Sequence, residues 1–339
     1  MANESGTPPY FVGVDLGGTG MKIGVIDNRG KTIAYSTFPT FVERGPEDGV
    51  KRMGHHVFET IEQAGISRDQ VVRIGLGSAG PIDIPAGKYI RPTNFPGWDF
   101  FPICTRLSEV TGKPVTFAND ASAAAYAEYW IGAGQKEPGL IVLTLGTGVG
   151  CGIILNGRPW SGIHSHGGEA AHMLIDISEG ARWCNCGQKG HFEAYAGALG
   201  VGKRTKEMMV TKRKSSLKTR INADTDVRTI PKMVFEEAEK GDELALEIVD
   251  ETARWLAYGI VSLVHTLDPS CVLLGGAMTF GGSNSPVGRR FLAQTQEEVK
   301  KRIFQHLAER LRIDFAKLGG DAGYIGAAGL AYADYHRLN

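Results

Sequence analysis

The sequence predicts an α/β protein built as two related halves, and three observations predict it. Short apolar runs of strand type alternate with longer helical patterns along the chain. Two glycine-rich segments, DLGGTGMKIGVI (15–26) and TLGTGVGCGII (144–154), share one grammar: strand, Leu-Gly, a Thr-Gly turn, then a strand with an internal glycine. The length of 339 residues, at roughly 150 residues per domain, suits two domains. Two such units suggest half-domains facing one another across a cleft. Two hairpins that merely share turn chemistry would read the same way.

Residues 10–38 read as a strand, a glycine-rich turn, a second strand, the turn Asp27-Asn28-Arg29-Gly30 and a third strand. A helical pattern follows over 46–64. VVRIGLG (71–77) and VTFAN (115–119) read as buried strands. ASAAAYAEYWIG (121–132) is Ala-rich and helical, with Asp120 as its expected N-cap. LIVLTLG (140–146) and VGCGIIL (149–155) form the second strand–turn–strand unit. Residues 157–197 are irregular and rich in Gly, His and Cys. Helical patterns fill 231–266 and 286–310, with the strand CVLLGG (271–276) between them and a closing helix from Gly323.

Composition narrows the function. With 37 Lys+Arg against 37 Asp+Glu, no whole-protein attraction to nucleic acid or anionic membrane is expected. The N-terminus MANESGTPPY has no basic or apolar leader pattern, and no run of about 18 apolar residues exists, so the expected location is the cytoplasm. Glycine, 46 of 339, exceeds the usual ~7% and belongs in tight turns or where backbone approaches a ligand. Five cysteines, two of them in a C-x-C, fit metal ligation in a reducing compartment better than a disulfide framework.

The first turn reads as a phosphate cradle. Gly17 and Gly18 let backbone N–H groups converge on an anion, Thr19 adds a hydroxyl and Lys22 a charge. Asp15, at the strand end, can hold Mg²⁺ through water. Gly146, Thr147 and Gly148 can hold the other end of a polyphosphate. GLGSAG (75–80) matches G-x-G-x-x-G, but Pro81 to Pro85 cannot begin the helix that a dinucleotide site needs. The Walker pattern is absent. Asn119-Asp120 ends a strand and opens a helix, so Asp120 is either a plain cap or a general base whose ionised form the helix N-terminus favours.

His172, Cys184, Cys186 and His191 supply two imidazoles and two thiols in a pattern that suits closed, tetrahedral Zn²⁺. Free cysteines beside unrelated histidines are the plainer alternative. Glu169 and Glu193 flank the cluster and are placed to accept hydrogen bonds from substrate hydroxyls, while His164 and His166 read as loop histidines. Segment 203–220 holds eight Lys/Arg and one acid, Glu207, and reads as a solvated face without the aromatic interleaving of a nucleic-acid site.

With GGEAAHM (167–173), CNCGQKGHFE (184–193), DLGGTGMK, FANDASAAAYAEYWIGAG and LTLGTGVGCGII on the page, the chain resembles the ROK family of sugar kinases, within the actin-like ATPase superfold. The resemblance spans nearly the whole chain and is strongest to the family's glucokinases. It implies two actin-like (ribonuclease H-like) domains, over 1–118 plus 326–339 and over 119–325. It implies ATP-dependent phosphorylation of a hexose, glucose to glucose 6-phosphate first, with Mg²⁺ and a structural Zn²⁺ bound by His172, Cys184, Cys186 and His191.

By the same resemblance Asp120 is the catalytic base. Asn119, Glu169, His172, Glu193 and Asn94, in PTNFPGW (92–98), contact the sugar, and Gly275-Gly276 lies near the adenosine. His191 stands where the family usually has a third cysteine, and Ala171 where it has glycine. Another hexose (mannose, N-acetylmannosamine, fructose), polyphosphate as donor, or a sugar-binding regulator without kinase activity are the alternatives. No nucleic-acid or membrane partner is expected, nor is the DNA-binding segment that the family's repressors carry ahead of a first hairpin. The family suggests a homodimer or homotetramer.

Overall fold

The computed structural model describes residues 6–211 and 213–338, so Met1–Ser5, on which part of the N-terminal expectation rests, and Lys212 of the basic segment lie outside the described residues. In chain order the elements begin with strands β1 (Tyr10–Leu16), β2 (Gly20–Ile26) and β3 (Thr32–Pro39), then helix α1 (Pro46–Gln63) and β4 (Val71–Ser78). A small hairpin of β5 (Ile82–Asp83) and β6 (Lys88–Tyr89) precedes α2 (Ile103–Thr111), β7 (Val115–Asn119) and α3 (Asp120–Trp130). Next come β8 (Gly139–Leu145), β9 (Val149–Leu155), β10 (Arg158–Pro159), α4 (Glu193–Ala196), α5 (Ala198–Met209), α6 (Leu217–Arg220), α7 (Ile230–Glu239) and α8 (Glu243–Leu267). The chain finishes with β11 (Cys271–Gly275), α9 (Pro286–Lys300), α10 (Gln305–Ala308), β12 (Arg312–Phe315) and α11 (Ala322–Leu338).

The echo read in the sequence is an echo of topology. One five-stranded sheet has the order β3-β2-β1-β4-β7, the other β10-β9-β8-β11-β12. In the first, β1 pairs antiparallel with β2 and parallel with β4, and β4 pairs parallel with β7. In the second, β11 pairs parallel with both β8 and β12. An antiparallel hairpin followed by parallel strands directs the carboxyl ends of β1, β4 and β7 one way, and ligands bind at such ends in α/β sheets.

The chain forms two compact units: residues 1–136, 152–168 and 318–339, and residues 137–151 and 169–317. This differs from boundaries at 118/119 and 325/326. β7 and α3 stay in the first unit because β7 hydrogen-bonds to β4 and α3 packs on α11. There the backbones nearly touch: a Cβ on Gly326 would lie 1.6 Å from the Ala123 carbonyl oxygen, and Cβ atoms on Gly13 and Gly75 would lie 1.8 Å from the Tyr324 and Ala327 carbonyls. Only hydrogen at those α-carbons admits α11 against β1, β4 and α3.

Elsewhere the helical pattern 231–266 divides in two. Gly241 takes a left-handed φ of +84°, and Asp242 restarts the chain as the cap of α8, accepting from the Ala245 amide at 2.9 Å. The pattern 286–310 likewise stops at Lys300, leaving α10 as a single short turn. Helix α2 and strand β12 lack a sequence signal of their own. Cys104, Cys151, Cys184 and Cys186 are free thiols. No helix among the described residues is long and apolar enough to cross a membrane.

The close seam generates a stability test. Gly326→Ala forces α11 and α3 apart and should lower unfolding stability by roughly 1–3 kcal/mol or more, as overpacking does. Gly146→Ala, with open space around its α-carbon, should stay within about 0.5 kcal/mol of the parent. Urea midpoints of the two variants check this.

Candidate functional site

The first unit assembles one set of the expected residues. Asp15, near the end of β1, sits across the hairpin from Lys22. Its carboxylate lies against the start of α11, where a Cβ on Gly323 would fall 2.3 Å from Oδ2. Burial, then the neighbouring Asp120 charge, pushes its pKa up to about 6, with Lys22 pulling the other way. Lys22 does not reach over the turn. Its Nζ donates to the Gly320 carbonyl at 2.5 Å and lies 3.6 Å from Asp321.

The Gly17–Gly20 turn closes with the Gly17 amide on the Gly20 carbonyl, 2.9 Å. Thr40 latches it from outside: its hydroxyl donates to the Gly17 carbonyl at 2.6 Å and its amide to the Thr19 carbonyl at 3.0 Å. Arg52 in turn donates to the Thr40 carbonyl. Neither Thr40 nor Arg52 stood out in the sequence, where no motif marks them. The Asn94 backbone rests on this turn, for a Cβ on Gly18 would meet the Asn94 carbonyl oxygen at 2.8 Å. Segment 92–98 is anchored by fully buried Phe95 and Trp98 packed on Tyr89, whose hydroxyl bonds Ser78 at 2.6 Å.

Asn119, not Asp120, caps α3. Its Oδ1 accepts from the Ala121 and Ser122 amides at 2.9 and 3.3 Å, while Asp120 is the first helical residue. Asp120 still accepts from the Ala121 amide at 2.8 Å. The helix N-terminus and these donors favour the carboxylate, yet burial outweighs them and the pKa of Asp120 is raised. The expectation that the helix start sets the charge state is therefore reversed.

The second unit assembles the rest. Gly146, Thr147 and Gly148 join β8 to β9, with the Gly146 amide on the Gly148 carbonyl at 3.0 Å and the Thr147 side chain exposed. The first turn of α5 docks on them: the Ala198 and Leu199 amides donate to the Gly146 and Thr147 carbonyls at 3.0 and 3.3 Å. Gly275 and Gly276 follow β11 beside the same strand end. Gly276 has φ +90°, and a Cβ on it would lie 2.2 Å from the Leu145 carbonyl oxygen.

His172, Cys184, Cys186 and His191 converge so that one ligand atom from each lies within 4.8 Å of all the others. The His172 and His191 Nδ1 atoms are 3.3 Å apart, Cys186 Sγ is 3.1 Å from His191 Nδ1, and Cys184 Sγ is 4.0 Å from His172 Nδ1. Zn–N and Zn–S bonds of their usual lengths set the edges of a tetrahedron at about 3.3 to 3.8 Å, so this donor set fits zinc. His172 turns its other nitrogen, Nε2, toward the Glu169 carboxylate, 3.8 Å away, the partner that a metal-bound imidazole commonly keeps. His164 and His166 are not in the cluster; the His166 ring meets the His164 carbonyl at 2.5 Å.

Glu193 lies elsewhere than expected of a purely sugar-facing group. Its Oε2 accepts from the Val149 amide at 3.2 Å, and its Oε1 faces Cys184 Sγ at 3.6 Å. The three arginines of the basic segment are paired with acids. Arg204 is buried on Glu251 and Thr252, Arg213 pairs with Glu247, and Arg220 with Glu236 and Glu237.

Comparison with known proteins follows this geometry. The model of the ROK family matches residues 11–334. Among curated relatives, a glucokinase of Halalkalibacterium halodurans is 32% identical over 95% of this chain and 94% of its own length. An N-acetylmannosamine kinase of Citrobacter koseri is 28% identical over 95% of this chain and 98% of its own. Among solved structures, a ROK hexokinase from Thermus thermophilus superposes with a TM-score of 0.80 at 31% identity, covering 97% of this chain and 99% of that one. A ROK family glucokinase from Streptomyces griseus, in complex with glucose and AMPPNP, gives 0.75 at 29% identity, covering 96% and 99%. With a family match that runs from β1 into α11, this chain belongs to the ROK family, and its α/β fold is that family's pair of actin-like domains.

Proposed function

We propose that the chain is a sugar kinase that transfers the γ-phosphoryl group of Mg²⁺-ATP to a hexose hydroxyl, the 6-hydroxyl of glucose foremost. The observation that carries this reading is Asp120, a buried carboxylate of raised proton affinity at the carboxyl end of β7, with Asn119 beside it. Phosphoryl transfer asks the protein mainly for positioning and charge stabilisation. Asp120 accepts the hydroxyl proton, and a pKa moved up toward working pH makes it a better base than a surface aspartate. Asn119, Asn94, Glu169, His172 and Glu193 are the sugar ligands in this reading. The amides of the 17–20 and 146–148 turns and the Thr19 and Thr147 hydroxyls receive the phosphates. Gly275-Gly276 leaves room for the adenosine, and Asp15 holds the water shell of Mg²⁺.

Zinc supplies no chemistry here. It serves as a crosslink among His172, Cys184, Cys186 and His191, which fixes the Glu169 and Glu193 carboxylates beside them. The likeness to a glucokinase solved with glucose and the ATP analogue AMPPNP supports glucose and ATP. The likeness to an N-acetylmannosamine kinase keeps that sugar as the second reading. The arginines of the basic segment are engaged by acids of the same chain, which leaves ATP the preferred donor in this reading. ADP release over a panel of glucose, mannose, fructose and N-acetylmannosamine is the test. Absence of turnover with all four, in protein that binds sugar, overturns the kinase reading in favour of a sugar-binding regulator.

Asp120→Asn should lower kcat by ~10²–10⁴-fold with sugar affinity retained. Because only ionised Asp120 accepts a proton, kcat/KM of the parent should fall as pH drops through its raised pKa, and this acid limb should be missing from the variant's residual rate.

Asp15 predicts opposite effects on stability and activity. The folded protein holds its proton up to about pH 6, whereas the unfolded chain releases it near 3.8. Ionisation therefore costs stability progressively as pH rises from about 4 to 6, and the cost is complete above that. Without added Mg²⁺ or nucleotide, Asp15→Asn should be more stable than the parent by roughly 1–3 kcal/mol at pH 7 and equal to it near pH 4. It should lose most activity. Urea unfolding at the two pH values reads the first effect.

Protein purified without chelators should carry about one zinc per chain, as four closed ligands require. His191→Ala should lose the metal, and His191→Cys should keep both metal and activity. Elemental analysis showing far less than one zinc in fully active protein would mean that packing alone holds the loop.

A further inference from the structure

The metal cluster and the second phosphate turn are joined by one side chain. Glu193 follows His191 by two residues, and the Ala194 amide donates to the His191 carbonyl at 3.0 Å. From that position the two carboxylate oxygens point in different directions. Oε1 meets Cys184 Sγ at 3.6 Å, and Oε2 accepts the Val149 amide at 3.2 Å, the first amide beyond the Gly146–Gly148 turn. The fit is close, since a Cβ on Gly148 would lie 1.9 Å from Oε2.

The same short segment grips the turn a second time. Gly197 accepts no side chain without approaching the Gly148 α-carbon and the Thr147 carbonyl, each 3.2 Å from its Cβ position. The amides that follow, Ala198 and Leu199, occupy the Gly146 and Thr147 carbonyls. The segment's other end is fixed by Phe192, fully buried against Gly259, with its amide on the Met173 carbonyl at 2.9 Å. Among the described residues, of the contacts that hold the turn, only the Glu193 carboxylate also touches a residue of the metal cluster.

We infer that Glu193 is a positioning residue for the nucleotide side of the reaction: it carries the rigidity of the zinc cluster into the Gly146–Gly148 turn, so that metal occupancy sets nucleotide affinity. This rests on the proposed kinase reading for what the turn binds, but the mechanical link is independent of it. Zinc binding takes the proton of Cys184, so the tie that persists in the loaded protein is the backbone from His191 to Glu193 and the Val149 amide on the carboxylate. That carboxylate retains lone pairs for a sugar hydroxyl, so the two roles are compatible.

The test uses zinc-loaded, full-length protein and two readouts: affinity for Mg²⁺-AMPPNP without sugar, and amide exchange at residues 146–149 and 198–199. Glu193→Ala removes the acceptor and should weaken nucleotide binding about tenfold, the equivalent of one lost hydrogen bond, with faster exchange at Val149. Glu193→Gln keeps an acceptor oxygen and should stay within about threefold of the parent. Stripping zinc from the parent should reproduce the Glu193→Ala effect, and stripping it from Glu193→Ala should add little.

Should the alanine variant fail to fold, zinc removal from the parent, read by exchange at Val149 and by AMPPNP affinity, carries the test alone. Unchanged Val149 exchange and unchanged nucleotide affinity after zinc removal from the parent would overturn the link. Protein that binds no nucleotide, yet exchanges Val149 faster without zinc, would overturn the kinase reading and leave the link standing.

Discussion

The first unit depends on one steric constraint, the near-contact of α11 with β1, β4 and α3. Backbone can approach backbone this closely only where glycine stands on one side, and Gly13, Gly75 and Gly326 do so at three points along the helix. The consequence reaches the chemistry. With α11 seated so deeply, its first turn is at the Asp15 carboxylate, through Gly323, and the preceding turn Gly319–Asp321 engages Lys22. With α3 held by the same helix, Asp120 stays at the end of β7 and out of bulk water. The raised proton affinity of both acids thus follows from the burial that this packing imposes on them.

The two glycine-rich turns have the same sequence grammar but are held by different means. In the first, a single threonine from outside the hairpin saturates two carbonyls, and Arg52 in α1 braces that threonine. In the second, helix α5 donates its free N-terminal amides to the turn's carbonyls, and a carboxylate from the metal loop takes the Val149 amide. A helix start has unpaired amides to give, so this docking satisfies both partners with no side chain spent on it. Polar groups of the backbone that a turn leaves unpaired must find partners somewhere, and the two units solved that separately.

Much of this was legible in the residues. The α/β class follows from alternation and the duplication from the repeated turn grammar, and the Cys/His spacing announced a cluster that does converge. What stayed hidden was of three kinds. Thr40 and Tyr89 act at long sequence distance and carry no local pattern, so only the fold reveals them. In sequence β7 and α3 look like the start of a new unit, whereas hydrogen bonding to β4 and packing on α11 group them with the first. The basic stretch 203–220 looked like a free charged face because its partners Glu236, Glu237, Glu247 and Glu251 lie 16 to 47 residues away, on α7 and α8.

The helix-capping residue shows how a local rule can be right in kind and wrong by one position. Asn and Asp are near-equal caps, and at Asn119-Asp120 either could take the role. Asn119 takes it, with two amides on one oxygen, while the Asp120 carboxylate accepts from the Ala121 amide. Had Asp120 been the cap, its carboxylate would be committed to the helix and its charge stabilised there, the condition of a poor base. A neutral amide in the capping position and an acid one residue later separate the structural task from the chemical one. Burial then outweighs the hydrogen bonds that favour the charged acid, and the proton affinity rises rather than falls.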